Sequence, residues 1–163
     1  VCTAFRGAYG LGTVIFRLFN VYGLRMRNDS YAGVIPRFIE RLRAGEPPTI
    51  YGDGRQTRDF IHEKDVVRAL LIALSCKDVE GETFNVATGV PASINQLAHL
   101  VIKLFRAEGI RPQHVGDRVG DIRHSYADVK KAKICLGFEA RTSLEEGLST
   151  LLNERFLRNG NEQ

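Results

Sequence analysis

Three cysteines in 163 residues, Cys2, Cys76 and Cys135, are odd in number and widely spaced. That indicates neither a disulfide framework nor a four-ligand zinc site, and the three read as reduced packing residues. No apolar run approaches the ~20 residues that a membrane helix needs. The opening residues, VCTAFRGAYG, lack the charged-then-apolar layout of a signal peptide, so a cytoplasmic setting without membrane contact is expected. There is no internal repeat. Nor is there a basic stripe: 23 Lys and Arg are scattered among 19 Asp and Glu, so the net charge of +4 does not predict a nucleic-acid partner. The four histidines, His62, His99, His114 and His124, form no constellation, and no metal is expected.

What is present is ordinary globular material, 44% hydrophobic and 26% charged, enough for one domain or part of a larger one. The most informative segment is residues 51–65, YGDGRQTRDFIHEKD. Gly52 and Gly54 flank Asp53 as a tight turn requires, and Phe60 and Ile61 behind the polar cluster can anchor it in a core. Between them lie Gln56, Arg58 and Asp59. An arginine held this way suits an anion, because its planar fork makes two parallel hydrogen bonds to phosphate or carboxylate oxygens. The alternative is a structural Arg58–Asp59 surface pair.

Strand and helix periodicities alternate along the chain. Residues 13–19 (TVIFRLF) read as a buried central strand ending in a loop at 20–23. Val34, Ile35, Phe38, Ile39 and Leu42 follow helical spacing, with Pro36 in the first turn and Gly45 at the end. Asp65 is expected to cap a helix over 66–75, and residues 82–87 (ETFNVA) form a short strand. Ser93 caps a third helix with a wide apolar face from Ile94 to Phe105. Asp128 starts a fourth, ending at Gly137, and Ser143 with Glu146 makes a capping box for a last helix displaying Leu144, Leu148, Leu151, Leu152 and Phe156. Residues 1–10 look like the end of a helix whose start is absent, as in a truncated reading frame. The α/β order predicts a ligand-binding lobe leaning on a parallel sheet.

Four motifs in order, RLFNVYG at 17–23, VIP at 34–36, the 51–65 segment, and RVGD at 118–121 running into SYAD at 125–128, resemble the NAD-dependent epimerase/dehydratase family. These are the extended short-chain dehydrogenase/reductases that act on nucleotide sugars. The resemblance covers nearly the whole chain and implies the C-terminal, substrate-binding half: the end of a Rossmann-type parallel sheet without its N-terminal part. On that reading residues 1–33 are a Rossmann remnant, 34–158 are mainly the nucleotide-sugar lobe with some returning Rossmann elements, and 159–163 are a frayed tail. It implies that Asn20 bonds the diphosphate region and that Val34 and Ile35 line the nucleobase site. Thr49 and Tyr51 flank a base-recognising strand, Arg58 and Arg118 grip the diphosphate, and Asp121 accepts ribose hydroxyls. Phe19 is implied beside the cofactor. Read locally, Asn20 has the alternative of an Asx-turn residue, Val34 and Ile35 are plain core, and Tyr51 is a packing residue. Ser125 stands where hexose-restricted members often carry a bulky residue, which implies room for an N-acetyl group. Its bland reading is a loop serine.

Two decoys are set aside. Residues 7–12 (GAYGLG) imitate a dinucleotide-binding loop but run from helix to strand, the reverse of what such a loop requires. Tyr126 and Lys130 have the spacing of the family's catalytic pair, but Asp128 as a cap leaves Tyr126 outside the helix that holds Lys130. The resemblance therefore implies an NAD-dependent UDP-hexose 4-epimerase, homodimeric when intact, with its NAD loop and catalytic Tyr-Lys pair upstream of Val1. This half alone is then expected to bind a nucleotide-diphosphate sugar without turnover. Dehydratases and decarboxylases of the family share much of the pattern, and a non-catalytic nucleotide-sugar-binding module is the reading from another class.

Overall fold

The computed structural model describes residues 1–26 and 33–159, with side chains for all but Thr3 and residues 155–159. The order is α1 (Cys2–Tyr9), β1 (Ile15–Leu18), β2 (Asn20–Tyr22), α2 (Val34–Arg43), β3 (Thr49–Tyr51), β4 (Thr57–His62), α3 (Glu63–Ser75), β5 (Thr83–Val86), β6 (Pro91–Ser93), α4 (Ile94–Leu104), β7 (Gln113–Val115), β8 (His124–Ser125), α5 (Lys130–Leu136) and α6 (Leu144–Asn159). The tail from residue 160 onward and the side chain of Phe156 lie outside the described set.

The single buried strand expected at 13–19 is instead two short ones. β1 runs parallel to β5, with Ile15 opposite Thr83, and β2 runs parallel to β4, with Asn20 opposite Phe60. Among the described residues β1 has no strand on its other edge, so Arg17 and Leu18 are exposed rather than buried. The loop expected at 20–23 is strand through Tyr22, because β4 offers it a ladder. β4 is the hub of its sheet, pairing also antiparallel with β6 and parallel with β8, while β3 and β7 form a separate parallel pair.

β4 also divides the core. Successive strand side chains point to opposite faces, so Phe60 joins a cluster built by α2, α4 and α6 (Phe38, Ile39, Leu97, Val101, Leu148). Ile61 joins a second cluster built by α3, β5 and α5 (Ala69, Phe84, Val86, Leu136). Full burial of one such large side chain contributes roughly 1.5–3 kcal/mol, which ties each helix to the sheet.

The helix ends follow their local chemistry. Ser93 and Gln96 form a reciprocal capping box on α4, and Ser143 and Glu146 form one at the start of α6. Asp128 accepts from the Lys130 N–H as α5 begins, and Gly137 closes α5 in the left-handed region at φ 63. One cap differs. α3 starts at Glu63, not Val66, because His62 Nδ1 accepts the Lys64 N–H at 3.2 Å. Asp65, expected as the cap, is buried and accepts from Arg141 N, Thr142 N and Arg68, so it ties α3 to the segment entering α6. Burial pushes the Asp65 carboxyl up, but these hydrogen bonds outweigh it and hold the group below its ordinary range. Gly147 lets α6 close on the sheet, since a Cβ there would collide with the Tyr22 hydroxyl. Among the described residues, no helix is long and apolar enough to cross a membrane.

Candidate functional site

The glycine turn after β3 is built as its sequence requires. Gly52 and Gly54 have φ of 68 and 70, and a side chain at either would collide with Asp117 or Asn95. Asp53 between them takes a two-pronged bond from Arg123, at 2.6 and 2.8 Å, and the Arg55 N–H at 2.9 Å. The Arg123 bond is the main reason the Asp53 carboxyl lies well below the usual carboxylate range. Asn95 Nδ2 donates to the Asp53 carbonyl at 2.9 Å. The turn thus aims the start of β4 from a fixed base.

Beside it lies a cleft of about 210 Å³. Asn20 from β2, Val34 from α2, Thr49 and Tyr51 from β3, Arg58 from β4, and Arg118 and Asp121 from the turn before β8 all line it. A smaller recess of about 130 Å³ continues past Tyr51, Arg118 and Asp121. Residues spread over a hundred positions therefore converge on one concavity.

Their individual bonds differ from the local alternatives. Asn20 makes no Asx turn: its Nδ2 donates to the Asp59 carbonyl at 3.2 Å and ties β2 to β4. There is no Arg58–Asp59 pair either, because neighbouring strand residues face opposite ways. Asp59 is fully buried and accepts from Thr88 N (2.9 Å), Thr88 Oγ1 (2.6 Å), Gly89 N (2.9 Å) and Ala127 N (3.3 Å). Arg58 instead donates from one nitrogen to the carbonyls of Thr57 (2.8 Å) and Ile122 (2.6 Å) and forms an ion pair with Asp121 through the other. The second Asp121 oxygen receives Gln56 Nε2 at 3.3 Å. Arg118 is exposed, with its carbonyl accepting the Asp121 N–H across a turn that Gly120 allows at φ 80.

Three expected residues stand off the cleft. Ile35 is packed in the first core cluster, one helical step round from Val34. Ser125 is half-buried on β8, opposite Arg58 in the ladder. Phe19 sits half-buried between β1 and β2, donating its N–H to Val86 at 3.2 Å. Conversely, Gly33, Arg37, Phe38, Ile50 and Ile94 also line the cleft, although the sequence predicts no site role for them. Arg37 was within reach of the sequence, since it falls three residues after Val34 and shares its helix face. Gln56, in the polar cluster after the glycine turn, lines the cleft as well.

The family resemblance implies NAD, and the glycine-rich segment at residues 7–12 does not fit its phosphates. The Gly7 to Gly12 segment closes α1 through Gly10, at φ 64 with its N–H on Arg6, and leads into β1, so no helix N-terminus opens there. Among the described residues no group of three or more His, Cys, Asp or Glu is placed to hold a metal ion. Tyr126 is exposed and precedes α5, whose first residue is Lys130, so the two do not share a helix face.

Parallel strands and covering helices define an α/β protein, and the wall of its cleft carries arginines beside one carboxylate. Residues 1–87, more than half of the chain, match the family described as NAD dependent epimerase/dehydratase, and the chain belongs to that family. It is 37% identical over 155 residues to a putative UDP-glucose 4-epimerase of Methanocaldococcus jannaschii, covering 94% of this chain and 48% of the relative. The crystal structure of UDP-glucose 4-epimerase with UDP-glucose from Thermotoga maritima superposes with a TM-score of 0.87 at 39% identity, over 96% of this chain and 50% of that one. The UDP-N-acetylglucosamine 4-epimerase of Methanobrevibacter ruminantium, in complex with UDP-N-acetylmuramic acid, gives 0.88 at 34% identity, over 96% and 50%. The chain spans about half the length of the relatives it matches.

Proposed function

We propose that this chain is the nucleotide-holding part of an NAD-dependent nucleotide-sugar 4-epimerase acting on a UDP-hexose. The observation that carries the reading is the convergence of Asn20, Val34, Thr49, Tyr51, Arg58, Arg118 and Asp121 on one cleft. In it, Arg118 and Arg58 hold the diphosphate, Asp121 accepts ribose hydroxyls, and Tyr51, Thr49 and Val34 flank the base. Charge-assisted bonds of this kind contribute roughly 1.5–3 kcal/mol each, so the two arginines supply much of the affinity. NAD, named in the family's description, is held mostly by residues outside this chain, with Phe19 its nearest contact here. The intact protein is a cytoplasmic homodimer on this reading, and the chain by itself binds without turnover. Dehydration or decarboxylation of a nucleotide sugar is the alternative chemistry at the same cleft.

The test is calorimetric titration of the chain with UDP, dTDP and uridine. Binding of UDP with uridine at least tenfold weaker is expected; equal affinity for uridine would mean that the arginines do not grip a diphosphate and would remove the reading. Stronger binding of dTDP than UDP would move the substrate to the thymidine sugars.

A further inference from the structure

We propose that Gln56 is a positioning residue for ribose recognition: it holds the Asp121 carboxylate at the angle from which it accepts the sugar hydroxyls. The inference rests on the proposed nucleotide-binding role of the cleft and goes beyond it, since Gln56 has no part in that assignment.

Gln56 is 7% exposed and lines both the cleft and the recess beside it. Its Nε2 donates to the Tyr51 carbonyl at 2.9 Å and to Asp121 Oδ2 at 3.3 Å. Those two acceptors fix the sense of the amide, because the reverse would set oxygen against a carbonyl and a carboxylate. The other end of the amide is unsatisfied: Oε1 is buried and has no hydrogen-bond partner. A buried acceptor without a donor is a cost that a hydrocarbon side chain of the same size would not incur. A residue serving only to fill space between β3 and β4 would therefore be apolar, as Ile50 and Ile94 lining the same cleft are. A local rule broken beside a binding cleft points to function.

What the amide gains is a bridge between the residue proposed to face the base and the residue proposed to face the ribose. Arg58 holds Asp121 by Oδ1 and Gln56 holds it by Oδ2, so neither oxygen swings freely although Asp121 lies in an exposed turn. A carboxylate fixed at both oxygens keeps its remaining lone pairs in set directions, and a pair of vicinal hydroxyls is recognised by direction. Without Gln56 the charge stays and Arg58 still attracts it, but the carboxylate turns about its one remaining anchor. Affinity for the diphosphate is then retained and the preference for ribose is lost.

The experiment compares UDP with 2′,3′-dideoxyuridine diphosphate by calorimetry on the full chain, in the wild type, Gln56→Leu and Asp121→Ala, with a thermal melt of each. The wild type is expected to prefer UDP roughly tenfold or more, the loss expected when charge-assisted bonds to hydroxyls are removed. Gln56→Leu, which removes the orphaned oxygen as well as the bridge, should bring the two ligands within about twofold, as Asp121→Ala does, while melting at or above the wild-type temperature. Gln56→Met replaces it if the leucine variant does not fold. A Gln56 variant that keeps the wild-type preference overturns the inference and leaves the nucleotide site standing. Failure of the wild type to bind UDP overturns both.

Discussion

Arg58 on β4 and Asp121 in the turn before β8 form an ion pair in the wall of the cleft, whereas the side chain of Arg118 at the other end of that turn has no partner among the described residues. The two arginines are therefore not equivalent. Arg58 also holds the carbonyls of Thr57 and Ile122, so it fastens the turn to the sheet as well as lining the cleft.

Replacing them should separate the two roles. Arg118→Ala is expected to weaken UDP binding by one to two orders of magnitude with little change in melting temperature, because an exposed side chain without partners contributes little to folding. Arg58→Ala should lower both affinity and melting temperature, since it leaves Asp121 without its ion-pair partner and the Ile122 carbonyl without its donor. Calorimetry with a thermal melt decides the matter, and wild-type affinity in Arg118→Ala would remove that residue from the site.

Gly147 gives a prediction in which two effects have opposite signs. Helix propensity says that Gly→Ala inside α6 stabilises by about 1 kcal/mol. Packing says the reverse, because the added methyl would overlap the Tyr22 hydroxyl and press on His62, both buried where α6 crosses the sheet. Overpacking a tight contact costs typically 1–3 kcal/mol. Packing should win, and urea unfolding of Gly147→Ala is expected to show net destabilisation. A stabilised variant would mean that α6 shifts outward without cost.

Much of this was legible in the sequence where the determinants are local. The capping boxes at Ser93 and Ser143, the turn at Gly52 and Gly54, and the stop at Gly137 are each set by residues within a few positions of one another. What was not legible depends on distant partners. Asn20, Val21 and Tyr22 are too few to show a period, and only β4 makes them a strand. Asp65 looks like a cap by its type, but its acceptor oxygens are taken by backbone N–H groups of Arg141 and Thr142, far downstream. Val34 and Ile35 are neighbours in one motif, yet adjacent helix positions face about 100° apart, and of the two only Val34 reaches the cleft while Ile35 goes to the core.

His62 should make stability fall on mild acidification. Burial lowers its pKa below the ordinary value of 6.5, against an opposing pull from the neighbouring Glu63 and Asp65 carboxylates. The unfolded chain therefore takes up the proton first, and stability is full above about pH 6.5 and declines as pH drops below it. Protonation of Nδ1 also abolishes the cap on α3, which needs that nitrogen as an acceptor. The melting temperature is expected to fall between about pH 7 and pH 5 in the wild type and to stay level in His62→Asn, which can still cap. An equal slope in both proteins would place the acid sensitivity elsewhere.

The outer face of α3 carries Val67, Leu70, Leu71 and Leu74 to solvent, with Leu74 83% exposed, and Ile134 on α5 and Leu18 on β1 are exposed as well. Single exposed apolar side chains are ordinary in proteins, but four on one helix face, with the edge of β1 unpaired among the described residues, make a surface that favours association. Nothing in the fold needs those side chains in place: α3 is anchored by Val66 and Ala69 on its inner face and by the Asp65 bonds. Substituting Leu71 and Leu74 together with glutamate should therefore change stability by less than about 1 kcal/mol. The same double substitution should shift the chain from concentration-dependent association toward a monomer in sedimentation velocity. If the wild type sediments as a monomer at every concentration, or if the glutamates leave its association unchanged, this face is not what drives it.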